Sequence, residues 1–389
     1  MLTEHFHNTK KDTGHYSNDL RYVLSLQNTI AAFEEIKTWE GYAKTPLHSL
    51  DSLASDIGVK NIYYKDESSR FGLGSFKALG GTYGVLKFIH HALKKEIGDE
   101  VSMKDIHAGK YSEQISKYTV TTATDGNHGR SVAFGAKLFG CKCQIYIHSE
   151  VSSGRQKAME DLEATVNRIS GNYDASLQIC IEDAGKNNWH VISDTSYEGY
   201  TKYPRYIMAG YNVMAEEIID QIKDRPLPTH VFLQGGVGSF PGAICGYFWE
   251  KFPGNNIKFV VVESEHAPCL IRSAQNNQMT SVSIKQETMM AGLSCGEPSL
   301  LGWEILKSGT DDFITINDSS IPGLMRLLAK NNLKIEAGES SVAGLAGLIE
   351  SMEDQKIAKA MGLNKESIVL LFGTEGATDP EIYRSIISE

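Results

Sequence analysis

Short apolar runs rich in β-branched and aromatic residues alternate with longer stretches of helical periodicity along most of this chain. That alternation limits the fold more than any other feature. A run that is apolar throughout suits a strand covered on both faces, and a helix between two such runs brings the second back parallel to the first. Strands are expected at 61–65, 119–122, 144–148, 190–193, 230–233, 259–262 and 368–372. Helices are expected at 78–91, 129–139, 153–162, 174–186 and 208–222. The pattern predicts an α/β protein with open, twisted, mostly parallel sheets flanked by helices. There is no internal repeat and no low-complexity linker.

The 389 residues suit about two domains. The hydrophilic run at 98–109 and the turn expected at 202–205 are the places where the chain changes lobe. They predict a large domain from 1–98 and 206–389, with 99–205 as a small domain. A net charge of −10 disfavours nucleic acid as a partner, because a phosphate backbone needs a basic footprint. No apolar run approaches the length of a membrane span, and the opening residues do not read as a signal peptide, so the cytoplasm is the expected compartment. Cys141 and Cys143 are too closely spaced for a zinc knuckle, and no metal site is expected. Cys180 and Cys245 read as core residues. Cys269 and Cys295 flank a loop region, and whether they pair stays open against a reducing cytosol.

Four motifs carry chemistry. In the first, Arg70-Phe71-Gly72-Leu73-Gly74 leads into Ser75-Phe76-Lys77, which places Lys77 in the first turn of a helix. The partial positive charge there disfavours an ammonium, so Lys77 reads as an amine able to form a Schiff base, the alternative being a surface lysine. In the second, Thr124-Asp125-Gly126-Asn127-His128-Gly129-Arg130 follows a strand and opens a helix, where free N–H groups suit a carboxylate and Asn127 can donate to a phenolate oxygen. An ordinary helix cap accounts for Thr124 and Asp125 about as well. In the third, the turn Gln234-Gly235-Gly236-Val237-Gly238-Ser239 has the composition of a phosphate-binding loop. The fourth is Phe372-Gly373-Thr374-Glu375-Gly376, where a neutral hydroxyl can face a pyridine nitrogen.

Together these motifs resemble the fold-type-II (tryptophan-synthase β-like) family of pyridoxal-phosphate enzymes, from about Tyr42 onward. The resemblance implies pyridoxal 5'-phosphate held between a large and a small domain. It assigns Lys77 to the Schiff base with Phe76 packed beside it, and Asn127 to the ring hydroxyl. The phosphate falls to Gly235, Gly236, Val237, Gly238 and Ser239. Thr374, rather than Gly373, is taken to face the pyridine nitrogen, with Glu339 a rival for a nearby polar role. A homodimer and a small amino-acid substrate are also implied.

The stretches 194–202, 291–298 and 338–340 are similar to the branch that eliminates ammonia from 2,3-diaminopropionate, as is Asp125 where dehydratases carry serine. That branch implies pyruvate and two ammonia as products, by way of the Lys77 aldimine and an aminoacrylate. Lys77 would take the α-proton of the L isomer and Asp125 that of the D isomer. Asp125 or Asp194 would hold the β-ammonium, which makes Lys77, Asp125 and Asp194 the catalytic candidates. His128 is read as packed, as are Tyr203, Tyr206 and Tyr211. The alternatives are a serine or threonine dehydratase of the same fold, a non-catalytic pyridoxal-phosphate-binding protein and, most remotely, a nucleotide-binding module.

Overall fold

The computed structural model describes residues 2–12, 14–124 and 126–388, so Asp125 lies outside the described residues. The strands, in chain order, are β1 (Leu2–His7), β2 (Leu47–Ser49), β3 (Asn61–Asp66), β4 (Thr119–Ala123), β5 (Lys142–Ile147), β6 (Thr165–Arg168), β7 (His190–Val191), β8 (His230–Gln234), β9 (Lys258–Ser264), β10 (Asp312–Ile316) and β11 (Ile368–Gly373). All seven expected strands are present. Of the four that the pattern did not mark, β1, β2 and β6 lie on sheet edges. An edge strand with one solvated side has no need of a continuous apolar run. β10 is interior, but its run opens on Asp311-Asp312, which masks it.

The chain divides into two units. The larger comprises Met1–Phe76, Thr195–Gly199 and Tyr211–Glu389. Its sheet runs β1-β10-β9-β8-β11-β3-β2, parallel except for the two edge pairings. Phe232, Val262, Ile314 and Leu371 anchor its core with the helix Ala343–Glu353. The smaller unit comprises Lys77–Asp194 and Tyr200–Gly210, around the all-parallel sheet β6-β5-β4-β7.

These divisions differ from the expected 98/99 and 205/206. The helix Lys77–Ile97 packs closely on the helix Asn127–Phe139: a Cβ on Gly81 would lie 2.3 Å from Ser131 Oγ, and one on Gly135 3.0 Å from Thr82 Cα. Contact of that intimacy assigns the whole lysine-bearing helix to the smaller unit. The hydrophilic run at 98–109 contains a short helix, Met103–His107, inside that unit. Residues 202–205 are likewise no turn but the start of the helix Lys202–Tyr211. The helix expected at 208–222 is in fact two, Lys202–Tyr211 and Val213–Gln221, parted at Asn212. The Asn212 side-chain amide donates to Thr29 Oγ1 at 3.0 Å.

In the larger unit, the loop that leads to Lys77 is fixed at both ends. Glu67 N–H donates to the Gly373 carbonyl at 2.9 Å, Phe76 N–H to that of Thr374 at 3.1 Å, and Gly376 N–H to that of Gly74 at 2.9 Å. Beneath it lies a closed ionic cluster. Lys65 Nζ donates to Glu217 Oε2 at 2.6 Å, the Thr45 carbonyl at 2.8 Å and Gln221 Oε1 at 3.0 Å. Arg70 donates to Glu67 and to both Glu217 oxygens, each at 2.8 Å. Two cations and two carboxylates cancel, and every charge has several partners, which is what makes their burial tolerable. Burial alone would raise the Glu217 carboxyl, but Arg70 and Lys65 outweigh it and hold it below the ordinary glutamate value.

Candidate active site

In the smaller unit the reactive groups gather at the start of the helix Lys77–Ile97. Ser131, one helical turn after Asn127, grips that start: its Oγ donates to the Lys77 carbonyl at 2.6 Å and accepts from Thr82 N–H at 3.0 Å. The Lys77 ammonium is ion-paired with Asp194 Oδ2, just beyond β7. Thus two residues far apart in sequence, both candidates from sequence alone, come together. Asn127 is the first residue of its helix, and Thr124 Oγ1 steadies the turn by accepting from Gly126 and Gly129 N–H, each at 3.1 Å.

His128 is buried beside them. Its Nε2 donates to the Ile192 carbonyl at 2.8 Å, and its Nδ1 lies 3.8 Å from Asp194 Oδ2. Burial pushes His128 below the usual histidine value, and the Lys77 charge adds to this against the pull of Asp194, so the ring is neutral at pH 7. Burial would raise Asp194, but the Lys77 ammonium, through its charge and its hydrogen bond, holds it well below the carboxylate range. With His128 neutral, Lys77 is the charge that does this. Sequence reasoning read His128 as packed, with no chemistry assigned to it, and passed over Ser131. The signal available was their position on the same helix as Asn127, one of them a full turn further on.

In the larger unit β8 ends in the glycine turn. Gly236 and Gly238 have φ of +58° and +95°, and a Cβ on Gly235 would stand 2.5 Å from Glu263 Cγ, so only glycine fits there. The helix Ser239–Lys251 follows at once, and its first turn offers N–H groups that have no intrahelical acceptor. The Val237 carbonyl is turned to Ser299 N–H at 2.6 Å. Glu263 caps the neighbouring helix Cys269–Asn276, accepting from Leu270 and Ile271 N–H at 2.8 and 2.7 Å.

Phe76 packs on Tyr211 and Phe240 at 4.7 and 4.8 Å between ring centroids, and Phe240 on Phe372 at 5.3 Å. This aromatic stack ties the lysine loop, the glycine-turn helix and β11 together within one unit. Tyr203 and Tyr206 belong instead to the smaller unit, packed with Phe88, His91 and His190. A Cβ at Gly373 would collide with Tyr64 at 2.4 Å, so the first side chain after β11 that can carry a hydroxyl is Thr374, whose Oγ1 lies 3.5 Å from Ser341 Oγ. Glu339 is buried at the head of a 3₁₀ turn. The neighbouring Ser340 hydroxyl is buried with no hydrogen-bond partner among the described residues. All six cysteines are free thiols, Cys269 and Cys295 included.

The larger unit's glycine-only anion cradle and buried hydroxyls, and the smaller unit's primary amine, are each of the chemistry that pyridoxal phosphate needs. Comparison with known proteins agrees. The profile of the family described as "Pyridoxal-phosphate dependent enzyme" matches residues 38–373. The diaminopropionate ammonia-lyase of Escherichia coli K12 is 38% identical over 357 residues, covering 90% of this chain and 88% of that protein. The enzyme of the same name from Salmonella typhimurium is 37% identical, covering 94% of each. The crystal structure of the Escherichia coli enzyme with an aminoacrylate-PLP azomethine intermediate matches with a TM-score of 0.88 at 34% identity, over 100% of this chain and 97% of that one. A threonine deaminase from Solanum lycopersicum, 19% identical with a TM-score of 0.76, shares the fold. The chain therefore belongs to the pyridoxal-phosphate dependent enzymes of fold type II, and among them to the diaminopropionate ammonia-lyase family.

Proposed function

We propose that this protein is a pyridoxal-phosphate-dependent lyase that converts 2,3-diaminopropionate to pyruvate and two ammonia. The observation that carries the reading is the Lys77–Asp194 pair, a reactive amine beside a carboxylate that already holds an ammonium. Gly235, Gly236, Val237, Gly238 and Ser239 hold the cofactor phosphate, Asn127 its ring hydroxyl and Thr374 its pyridine nitrogen, with Phe76 packed alongside. Bound pyridoxal phosphate supplies an electron sink that makes the substrate's Cα–H acidic. Lys77 Nζ takes that proton from the L isomer, and Ser131 keeps the Lys77 backbone in place while it does so. Asp125 takes it from the D isomer, an assignment that rests on the sequence motif alone. Asp194 holds the substrate's β-ammonium by a charge-assisted hydrogen bond. The Cβ–N bond then breaks with its electron pair going to nitrogen, so the group leaves as neutral ammonia. The freed enamine hydrolyses to pyruvate and a second ammonia.

No helix among the described residues is long and apolar enough to cross a membrane. We place the enzyme in the cytoplasm as a homodimer. The first part rests on its acidic charge and free thiols, the second on the family resemblance.

The test is pyruvate release by cofactor-loaded protein given L- and D-2,3-diaminopropionate, with L-serine and L-threonine alongside. Diaminopropionate should be preferred, and turnover of serine or threonine alone would make the protein a dehydratase. Asp125→Asn should slow the D isomer far more than the L isomer; equal losses would reduce Asp125 to a positioning role.

A further inference from the structure

His128 is buried, yet it keeps one polar atom uncommitted. Because Nε2 gives its hydrogen to the Ile192 carbonyl at 2.8 Å, the neutral ring has its lone pair on Nδ1. That lone pair faces Asp194 Oδ2 across 3.8 Å, too far for a hydrogen bond and with no proton of its own to share. Among the described residues Nδ1 has no hydrogen-bond partner. A buried acceptor left unmet costs about 1–3 kcal/mol, so one retained beside the reactive lysine marks a place for a donor from outside the chain.

Nδ1 and Oδ2 are both acceptors, and they stand close enough for one small donor atom to reach both. A hydroxyl has one hydrogen and can satisfy only one of them. An ammonium has three and can satisfy both. The Lys77 ammonium already sits on the Asp194 side of this corner. When Lys77 is engaged with the cofactor it has fewer N–H donors to offer Asp194, while His128 Nδ1 still lacks a donor.

We infer that His128 Nδ1 and Asp194 Oδ2 form a two-acceptor subsite for the β-ammonium of the substrate, and that His128 is a specificity-determining residue selecting an ammonium over the hydroxyl of serine. This rests on the reading that diaminopropionate is the substrate. Selectivity arises because a hydroxyl leaves one buried acceptor unpaired, the kind of mismatch by which binding sites reject close analogues.

Two substitutions separate this role from packing. His128→Gln can keep an N–H for the Ile192 carbonyl but removes the acceptor at the Nδ1 position. His128→Asn can keep an acceptor at that position but loses the bond to Ile192. Each variant is loaded with cofactor, checked by its absorbance, and assayed with L-2,3-diaminopropionate and β-chloro-L-alanine, whose chloride leaving group donates no hydrogen bond. His128→Gln should lower kcat/KM for diaminopropionate about tenfold or more while losing far less on β-chloroalanine, and His128→Asn should recover most of the difference. Equal losses on both substrates, or an Asn variant no better than the Gln variant, would overturn the subsite while leaving the lyase reading intact. Wild-type protein that processes β-chloroalanine or serine but not diaminopropionate overturns both.

Discussion

Two lysine–carboxylate pairs in this protein look alike in sequence and differ in kind. Lys65 and Glu217 are fully buried, at 0% side-chain exposure each, and Lys65 has three acceptors for its three N–H groups. Lys77 and Asp194 keep 22% and 15% exposure, and the neighbouring His128 has an acceptor to spare. A pair whose hydrogen bonds are all met is finished structure. One that is partly exposed, beside a histidine with an unmet acceptor, has capacity left for a ligand. Partial exposure beside an open acceptor on His128 separates the reactive lysine from the structural one.

The contrast can be broken most sharply at Lys77. Lys77→Ala should reduce pyruvate formation from both isomers about 10³-fold or more while leaving the thermal unfolding midpoint close to wild type. Retained turnover would take Lys77 out of the chemistry. Glu217→Gln should do the reverse. It leaves Lys65 and Arg70 buried with only Glu67 to offset them, a loss of about 3–5 kcal/mol visible in denaturant unfolding, with per-molecule activity largely kept in the folded fraction. A variant as stable as wild type would mean that the cluster is incidental.

Acid sharpens the same contrast. Glu217 has a folded pKa below its ordinary value of 4.5, so its contribution to stability is fully present above that value. It is lost as pH falls through the depressed folded value. Glu217→Gln should therefore flatten the acid limb of the stability curve, and an unchanged limb would point to other carboxylates. Gly235→Ala is expected to weaken cofactor binding about tenfold, since the new methyl must displace Glu263 or the turn, and absorbance titration reads it. Ser131→Ala should have the smallest effect, about 1 kcal/mol of stability with a modest fall in kcat, measured by unfolding and steady-state kinetics.

Much of the fold was legible because buried parallel strands announce themselves as apolar runs; the strands missed are chiefly edges, such as polar Thr165–Arg168. The unit boundary was misjudged because periodicity reveals that 77–97 is a helix but not which neighbour its glycines fit. At the site, Lys77 stood out by residue type and place after a glycine-rich loop, and Asp194 through the family resemblance of the stretch 194–202. Glu217 did not, lying in a helix beside Glu216 and Asp220 with nothing to say that it faces Arg70. His128 was legible as buried, but its tautomer depends on the Ile192 carbonyl, a partner from another element that no local pattern contains.

The seams along β11 have a consequence for how the protein is made. β3 pairs with β11, and the loop from Glu67 to Phe76 is stitched to Gly373, Thr374 and Gly376. On the ribosome, that loop cannot reach its final form until β11 has emerged. The strands of the smaller unit all fall between Thr119 and Val191, so it can settle much earlier. The reactive lysine is thus synthesised early, while the loop leading to it takes shape among the last parts of the molecule, so an incomplete chain would carry the amine without a finished approach to it.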